Sequence, residues 1–151
     1  MKVYLAAPLF TCAERDFNER LALAIENCGS IKMILPQRCA AELPNGPDFP
    51  QRMFHCALED IDECDMVIAV LDGADADSGT CVEIGYAKGI GKRVIGVRTD
   101  LRVSEDRGLN LMVANICSEL VFVPAATTSP EELAASIAEC IHTKRGVNEW
   151  S

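Results

Sequence analysis

Glu83 is the residue of this chain whose type and setting best suit chemistry. It belongs to the stretch Asp65 to Lys92, DMVIAVLDGADADSGTCVEIGYAKGIGK, in which an apolar run from Met66 to Leu71 gives way to acids and small residues. The run has the length and β-branched content of a buried strand. From Ser78 to Ile90 the apolar residues Val82, Ile84, Ala87 and Ile90 recur at helical spacing, so a helix begins where the acids end and Glu83 falls in or near its first turn. A carboxylate just past the carboxyl end of a central parallel strand sits where open α/β sheets bind ligands. The free N–H groups of a helix start favour the ionised form, which predicts a lowered pKa and suits a nucleophile or charge stabiliser better than a proton donor. A plainer pattern fits the same residues. Thr80 and Glu83 match a T-x-x-E capping box, in which Glu83 would reach back to a backbone N–H and do nothing else.

Other sites fail on their own terms. Gly85, Gly89, Gly91 and Lys92 lie within and after a helix, and a Walker loop would need glycine at Tyr86, so these glycines end a helix instead. A dinucleotide fingerprint belongs after the first strand, where APLFTCAERDF has no glycine. DGADADSGT lacks the ligands and turn glycine of a calcium loop, with Ala74, Ala76 and Asp77 at the deciding positions. A phospho-acceptor domain would use Asp72, yet Ala6, Ala7 and Pro8 stand where its metal-binding acids belong. No G-x-S-x-G elbow exists, and His55 and His142 have no cysteine or serine partner at a recognisable spacing. Neither a metal nor a cofactor is expected.

The elements that must position Glu83 alternate along the chain. Lys2 to Ala7 reads as a strand, and Ala13 to Cys28 as a helix with apolar spacing at Phe17, Leu21, Ile25 and Cys28. Ile31 to Leu35 is a second strand, Gln37 to Pro50 an irregular proline-bearing loop, and Gln51 to Glu63 a helix. After the strand and helix around Glu83, Arg93 to Val97 is a fourth strand. A polar loop from Arg98 to Gly108 leads to a short apolar segment, Leu109 to Ile116, and Leu120 to Val123 is the fifth strand. Thr127 to Pro130 starts a last helix, with Ser129 as N-cap, Pro130 at N1 and Leu133, Ile137 and Ile141 on its buried face; Gly146 to Ser151 is a tail. Five strands separated by helices require right-handed crossovers, hence a doubly wound, mostly parallel α/β sheet with helices on both faces, flavodoxin-like or Rossmann-like.

With 151 residues, 49% of them apolar, one domain over residues 1 to 145 can bury a real core. No apolar run approaches a membrane span and no signal peptide is visible, so a cytoplasmic protein without membrane contact is expected. The eight cysteines are scattered, without C-x-x-C and mostly inside apolar patterns, and read as buried free thiols. A net charge of −9 with no basic stripe argues against nucleic acid as a partner and for a small ligand.

Taken together, VYLAAPLF, DMVIAVLDGADADSGTCVEIGYA, GKRVIGVRTD and GLNLM resemble the nucleoside 2-deoxyribosyltransferase family, over Lys2 to about Met112. The most specific part is D-S-G-T-x-x-E-x-G-Y-A followed by N-L-M. The resemblance implies cleavage of the N-glycosidic bond of a 2′-deoxynucleoside, a covalent deoxyribosyl intermediate on Glu83, and transfer to a free nucleobase. It implies that Asp77 contacts the leaving base and manages its proton, and that Tyr4 orients the nucleophile. Phe10, Asp72, Ser78 and Gly79 would line the substrate. Asn110 and Met112 match an element that reaches into a neighbouring subunit's site, which implies a dimer-based homo-oligomer with shared sites. One departure stands out: relatives carry Asp or Asn on the helix before the third strand where this chain has Ala57, and Asp60, one turn on, is the residue that could approach the same space. Two other readings stay open. A related 2′-deoxynucleoside 5′-monophosphate N-hydrolase would send the sugar to water, with Arg15 and Ser78 able to hold a phosphate, and a catalytically silent nucleoside-binding domain would do neither.

Overall fold

The computed structural model describes residues 1–102, 108–123 and 128–142. The expected tail, Thr127 and the middle of the Arg98 to Gly108 loop lie outside them. Five strands, β1 (Lys2–Ala6), β2 (Lys32–Ile34), β3 (Met66–Val70), β4 (Arg93–Arg98) and β5 (Glu119–Phe122), form one parallel sheet in the order β2-β1-β3-β4-β5. This is the flavodoxin-like order. In it β3 pairs with β1 along Val3 to Ala6, and the chain reverses its winding direction between these two strands.

Strand side chains alternate between faces, and both faces are covered. On one, Val3, Leu5, Ile68, Val70, Ile95 and Val97 pack with Leu21, Ala22 and Ile25 of α1 (Cys12–Asn27) and with Leu133, Ala134, Ile137 and Ile141 of α6 (Pro130–His142). On the other, Tyr4, Ala6, Val67, Ala69 and Leu71 meet Ile61 and Cys64 at the end of α3 (Phe49–Glu63), Ile84 and Ala87 of α4 (Ser78–Gly89), and Val113 and Ala114 of α5 (Leu111–Ile116). Gly96 lets this layer close in, since a Cβ there would lie 2.6 Å from Leu120 and 2.7 Å from Cys117.

The buried face expected for α6 is observed, and Ser129 caps it: its Oγ accepts from Glu132 N at 3.2 Å while its own N–H donates to Glu132 at 2.9 Å. Three expectations change. The Gln37 to Pro50 stretch is not wholly irregular, because Pro36 occupies the first turn of a short helix, α2 (Pro36–Glu42), where its missing N–H costs nothing. Cys39 and Cys56 are joined in a disulfide instead of being free, and of the other six cysteines Cys12 and Cys28 are exposed. Val82 and Ile90, periodic with Ile84 and Ala87 in sequence, point outward.

Candidate active site

The site forms where β1 and β3 diverge, at the reversal point where open sheets of this kind bind ligands. Tyr4, in the middle of β1, is fully buried, and its hydroxyl donates to Glu83 Oε1 at 2.7 Å across the layer between sheet and α4. Burial, followed by the nearby charge of Glu83, raises the Tyr4 pKa far above its ordinary value, so the phenol stays protonated and a donor. Glu83 is partly exposed, and among the described residues no hydrogen bond reaches its other oxygen.

The helix start lies elsewhere than the T-x-x-E pattern suggests. Asp77 is the N-cap of α4, its Oδ2 accepting from Thr80 N at 2.9 Å and from Thr80 Oγ1 at 3.3 Å. Counted from that cap, Glu83 is the sixth helical residue, beyond the first turn where the dipole acts. The expectation of a lowered Glu83 pKa is therefore reversed. Burial pushes it up to about 7, the Tyr4 hydrogen bond pulls the other way, and the charge of Asp77 adds to the rise. Asp77 thus caps through Oδ2, its Oδ1 has no hydrogen-bond partner among the described residues, and its charge acts on Glu83.

The remaining expected residues divide. Ser78 and Gly79 form the exposed first turn of α4 beside Asp77. Asp72 has partners within the fold: its Oδ1 accepts from Thr99 N at 2.6 Å and Asp100 N at 2.9 Å, and its Oδ2 from the Thr99 hydroxyl, so its carboxylate ties the loop after β3 to the loop after β4. Asn110 caps α5, accepting from Met112 N at 2.9 Å. Phe10, in the loop after β1, and Met112, in the first turn of α5, are each 71% exposed. Asp60, one turn on from Ala57, is half-buried. Its charge reaches Tyr4, but its carboxylate turns to Cys56 Sγ at 3.7 Å. Arg15 is engaged by its own loop, donating to Leu9 O and Phe10 O at 3.0 Å each.

Arg98 is a residue the sequence reading passed over. Only 1% exposed, it donates to Leu71 O at 2.6 Å and Gly73 O at 3.1 Å, fixing the first residues of the loop that delivers Asp77 and Glu83. Gly108, at φ +77°, leaves room for it, because a Cβ there would lie 2.6 Å from its Nη2. The only signal was an arginine at the end of an otherwise apolar strand.

A family model for nucleoside 2-deoxyribosyltransferases matches residues 3–112, the span containing Tyr4, Asp77, Glu83, Asn110 and Met112. The chain belongs to this family. Among solved structures, a conserved protein of Enterococcus faecalis V583 is 25% identical, with 93% of this chain and 98% of that one covered at a TM-score of 0.71. The 2-deoxyribosyltransferase of Bacillus psychrosaccharolyticus superposes with a TM-score of 0.68 at 20% identity, over 80% of this chain and 85% of that chain. A CMP N-glycosidase of Clostridium botulinum gives 0.61 at 21% identity, over 91% and 98%. The last two similarities establish a shared fold. No functionally curated protein matches the sequence. Family membership makes this a protein of an enzymatic family acting on small nucleoside-type molecules, and none of the helices described is long and apolar enough to cross a membrane.

Proposed function

We propose that the protein transfers a 2-deoxyribosyl group between nucleobases, with Glu83 as the nucleophile. The observation that carries the reading is the contact between a neutral, buried tyrosine and one oxygen of Glu83, which leaves the other oxygen free for a sugar carbon. In the first half-reaction the free oxygen bonds to the anomeric carbon as the bond to the base breaks; the electron pair leaves with the base, and Asp77 would supply the proton that the base takes up. A second base then attacks the same carbon and releases Glu83. Two displacements retain configuration, as in retaining glycosidases. The missing 2-hydroxyl of the sugar makes its oxocarbenium-like transition state easier to reach. Tyr4 orients Glu83 and shares its charge when it departs. Phe10, together with Asn110 and Met112 of a second copy, would cover the base and exclude water, which favours transfer over hydrolysis.

The occupied state of Arg15 supports a nucleoside over a monophosphate, since its guanidinium already serves two loop carbonyls. N-hydrolysis is the second reading, favoured by the partial exposure of Glu83 to solvent. Incubation with free adenine and either deoxyinosine or its 5′-monophosphate separates them: deoxyadenosine is the expected product, free sugar, more of it from the monophosphate, would mean a hydrolase, and no product from either would mean a binding domain. Glu83→Ala should abolish exchange by at least about 10³-fold, the scale on which loss of a covalent nucleophile acts. Mass spectrometry of protein quenched during turnover should show a deoxyribosyl adduct on the Glu83 peptide; its absence under conditions of active exchange removes the assignment.

A further inference from the structure

On the other side of α3, Cys39 of α2 faces Cys56 and Asp60, one turn apart on α3. One donor atom from each of the three lies within 4.8 Å of the other two. They line a recess of about 430 Å³ over the edge strand β2, together with Glu42, Glu63, Lys2 and Arg38. Three cations also line the recess, Lys32 and two that are paired, Lys2 with Glu63 at 2.8 Å and Arg38 with Glu19 at 2.6 Å. Among the described residues no N–H or O–H donates to the Asp60 carboxylate, whose one close neighbour is the Cys56 sulfur at 3.7 Å. Burial, then the charges of Glu63 and Glu59, raise the Asp60 pKa while Lys2 lowers it, so the carboxylate lies half-buried beside the two sulfurs.

We propose that in the reduced protein Cys39, Cys56 and Asp60 bind a zinc ion, with water or Glu42 completing a tetrahedron. The Cα atoms of the two cysteines are 7.3 Å apart, beyond the usual disulfide range of about 4.4–6.8 Å. Two thiolates on one tetrahedral zinc hold their sulfurs about 3.8 Å apart at the usual zinc–sulfur length, a spacing that a wider Cα separation accommodates. Two sulfurs and a carboxylate select a borderline-soft divalent cation over calcium or magnesium. Loading takes two balanced steps. A dithiol reductant gives two electrons and two protons to the disulfide and is itself oxidised to a disulfide; zinc then displaces the two thiol protons, which pass to solvent. The ion would fasten α2 to α3 independently of the chemistry at Glu83.

The test uses the full chain, reduced and freed of metal, titrated with cobalt(II) under anaerobic conditions. The expected result is one equivalent bound, with sulfur-to-cobalt charge-transfer and tetrahedral d–d bands that zinc bleaches. Cys39→Ser with Cys56→Ser should remove the bands, while Cys12→Ser with Cys28→Ser, which alters the exposed thiols, should leave them intact. Asp60→Asn, which preserves shape, should weaken zinc binding about tenfold or more, as even the loss of an outer-shell partner does in other zinc sites. Absence of the bands in the reduced wild-type protein, or bands that survive in the Cys39→Ser/Cys56→Ser protein, overturns the proposal. Unchanged zinc affinity in Asp60→Asn removes the carboxylate and with it the three-ligand site.

Discussion

Glu83 is pulled in opposite directions by its surroundings. Burial favours its neutral form, and the Tyr4 hydroxyl favours its charged form. A nucleophile must be ionised, so with a pKa of about 7 the value of kcat/KM for exchange should rise with pH and level off above about 7. Tyr4→Phe deletes the interaction that lowers this pKa, and the acid limb should move to higher pH; a limb that stays in place would separate it from Glu83. The same shift has a consequence for stability. Relative to an ordinary 4.5, the folded protein binds a proton more tightly than the unfolded chain does, so the stabilisation it brings is fully present below 4.5 and lost as pH rises through about 7. Glu83→Gln is neutral at every pH. It should therefore raise the melting temperature by a few degrees at pH 8 and leave it nearly unchanged at pH 4. Glu83 stands out as a candidate from its place after the third strand, whereas Asp77 and Tyr4 enter as candidates only through the family resemblance. The direction of the Glu83 shift could not be read, because it depends on whether the helix is counted from Thr80 or from Asp77, and on burial that only the sheet supplies.

The strands were readable because the inner ones are covered on both faces and so appear as unbroken apolar runs, and α6 because serine, proline and acids mark its start. Helix α2 was not, since a proline that opens a helix looks in sequence like one that forbids it. The partnership of Cys39 with Cys56 was equally hidden, joining residues 17 apart in two helices whose packing is a tertiary fact. Asp72 shows the difference at work. Its place at the end of β3 suggests a ligand contact, yet three bonds from Thr99 and Asp100 make it a tie between two loops. Asp72→Ala should lower stability by about 2–3 kcal/mol, because the buried or half-buried donors lose their acceptor. Asp72→Asn, which keeps an acceptor oxygen for the two backbone N–H groups, should recover most of that loss in a denaturant titration. A raised KM with unaltered stability in the alanine variant would instead assign Asp72 to the ligand.

Strand order is a property of the whole chain that composition and periodicity do not encode: a parallel crossover can land on either side of its starting strand with equal length of helix. The reversal between β1 and β3 is what brings a tyrosine and a glutamate 79 residues apart to 2.7 Å. It leaves the site open, however, with Phe10 and Met112 displayed to solvent beside an otherwise well-covered sheet. Both are large apolar side chains left available to a partner surface. On the shared-site reading the cover is a second copy, and Met112 contributes apolar contact area to it. Met112→Asp would place a charge against that surface at a cost of about 2 kcal/mol or more, which weakens assembly roughly thirtyfold. Because the side chain is solvent-exposed in the single chain, thermal stability of the dissociated protomer should not change. Sedimentation velocity should show smaller species at low concentration for the variant, and its exchange rate per protomer should fall on dilution where the wild type holds constant. A variant that sediments and turns over like the wild type at every concentration would place Met112 outside any contact between copies and leave each protomer to complete its site alone.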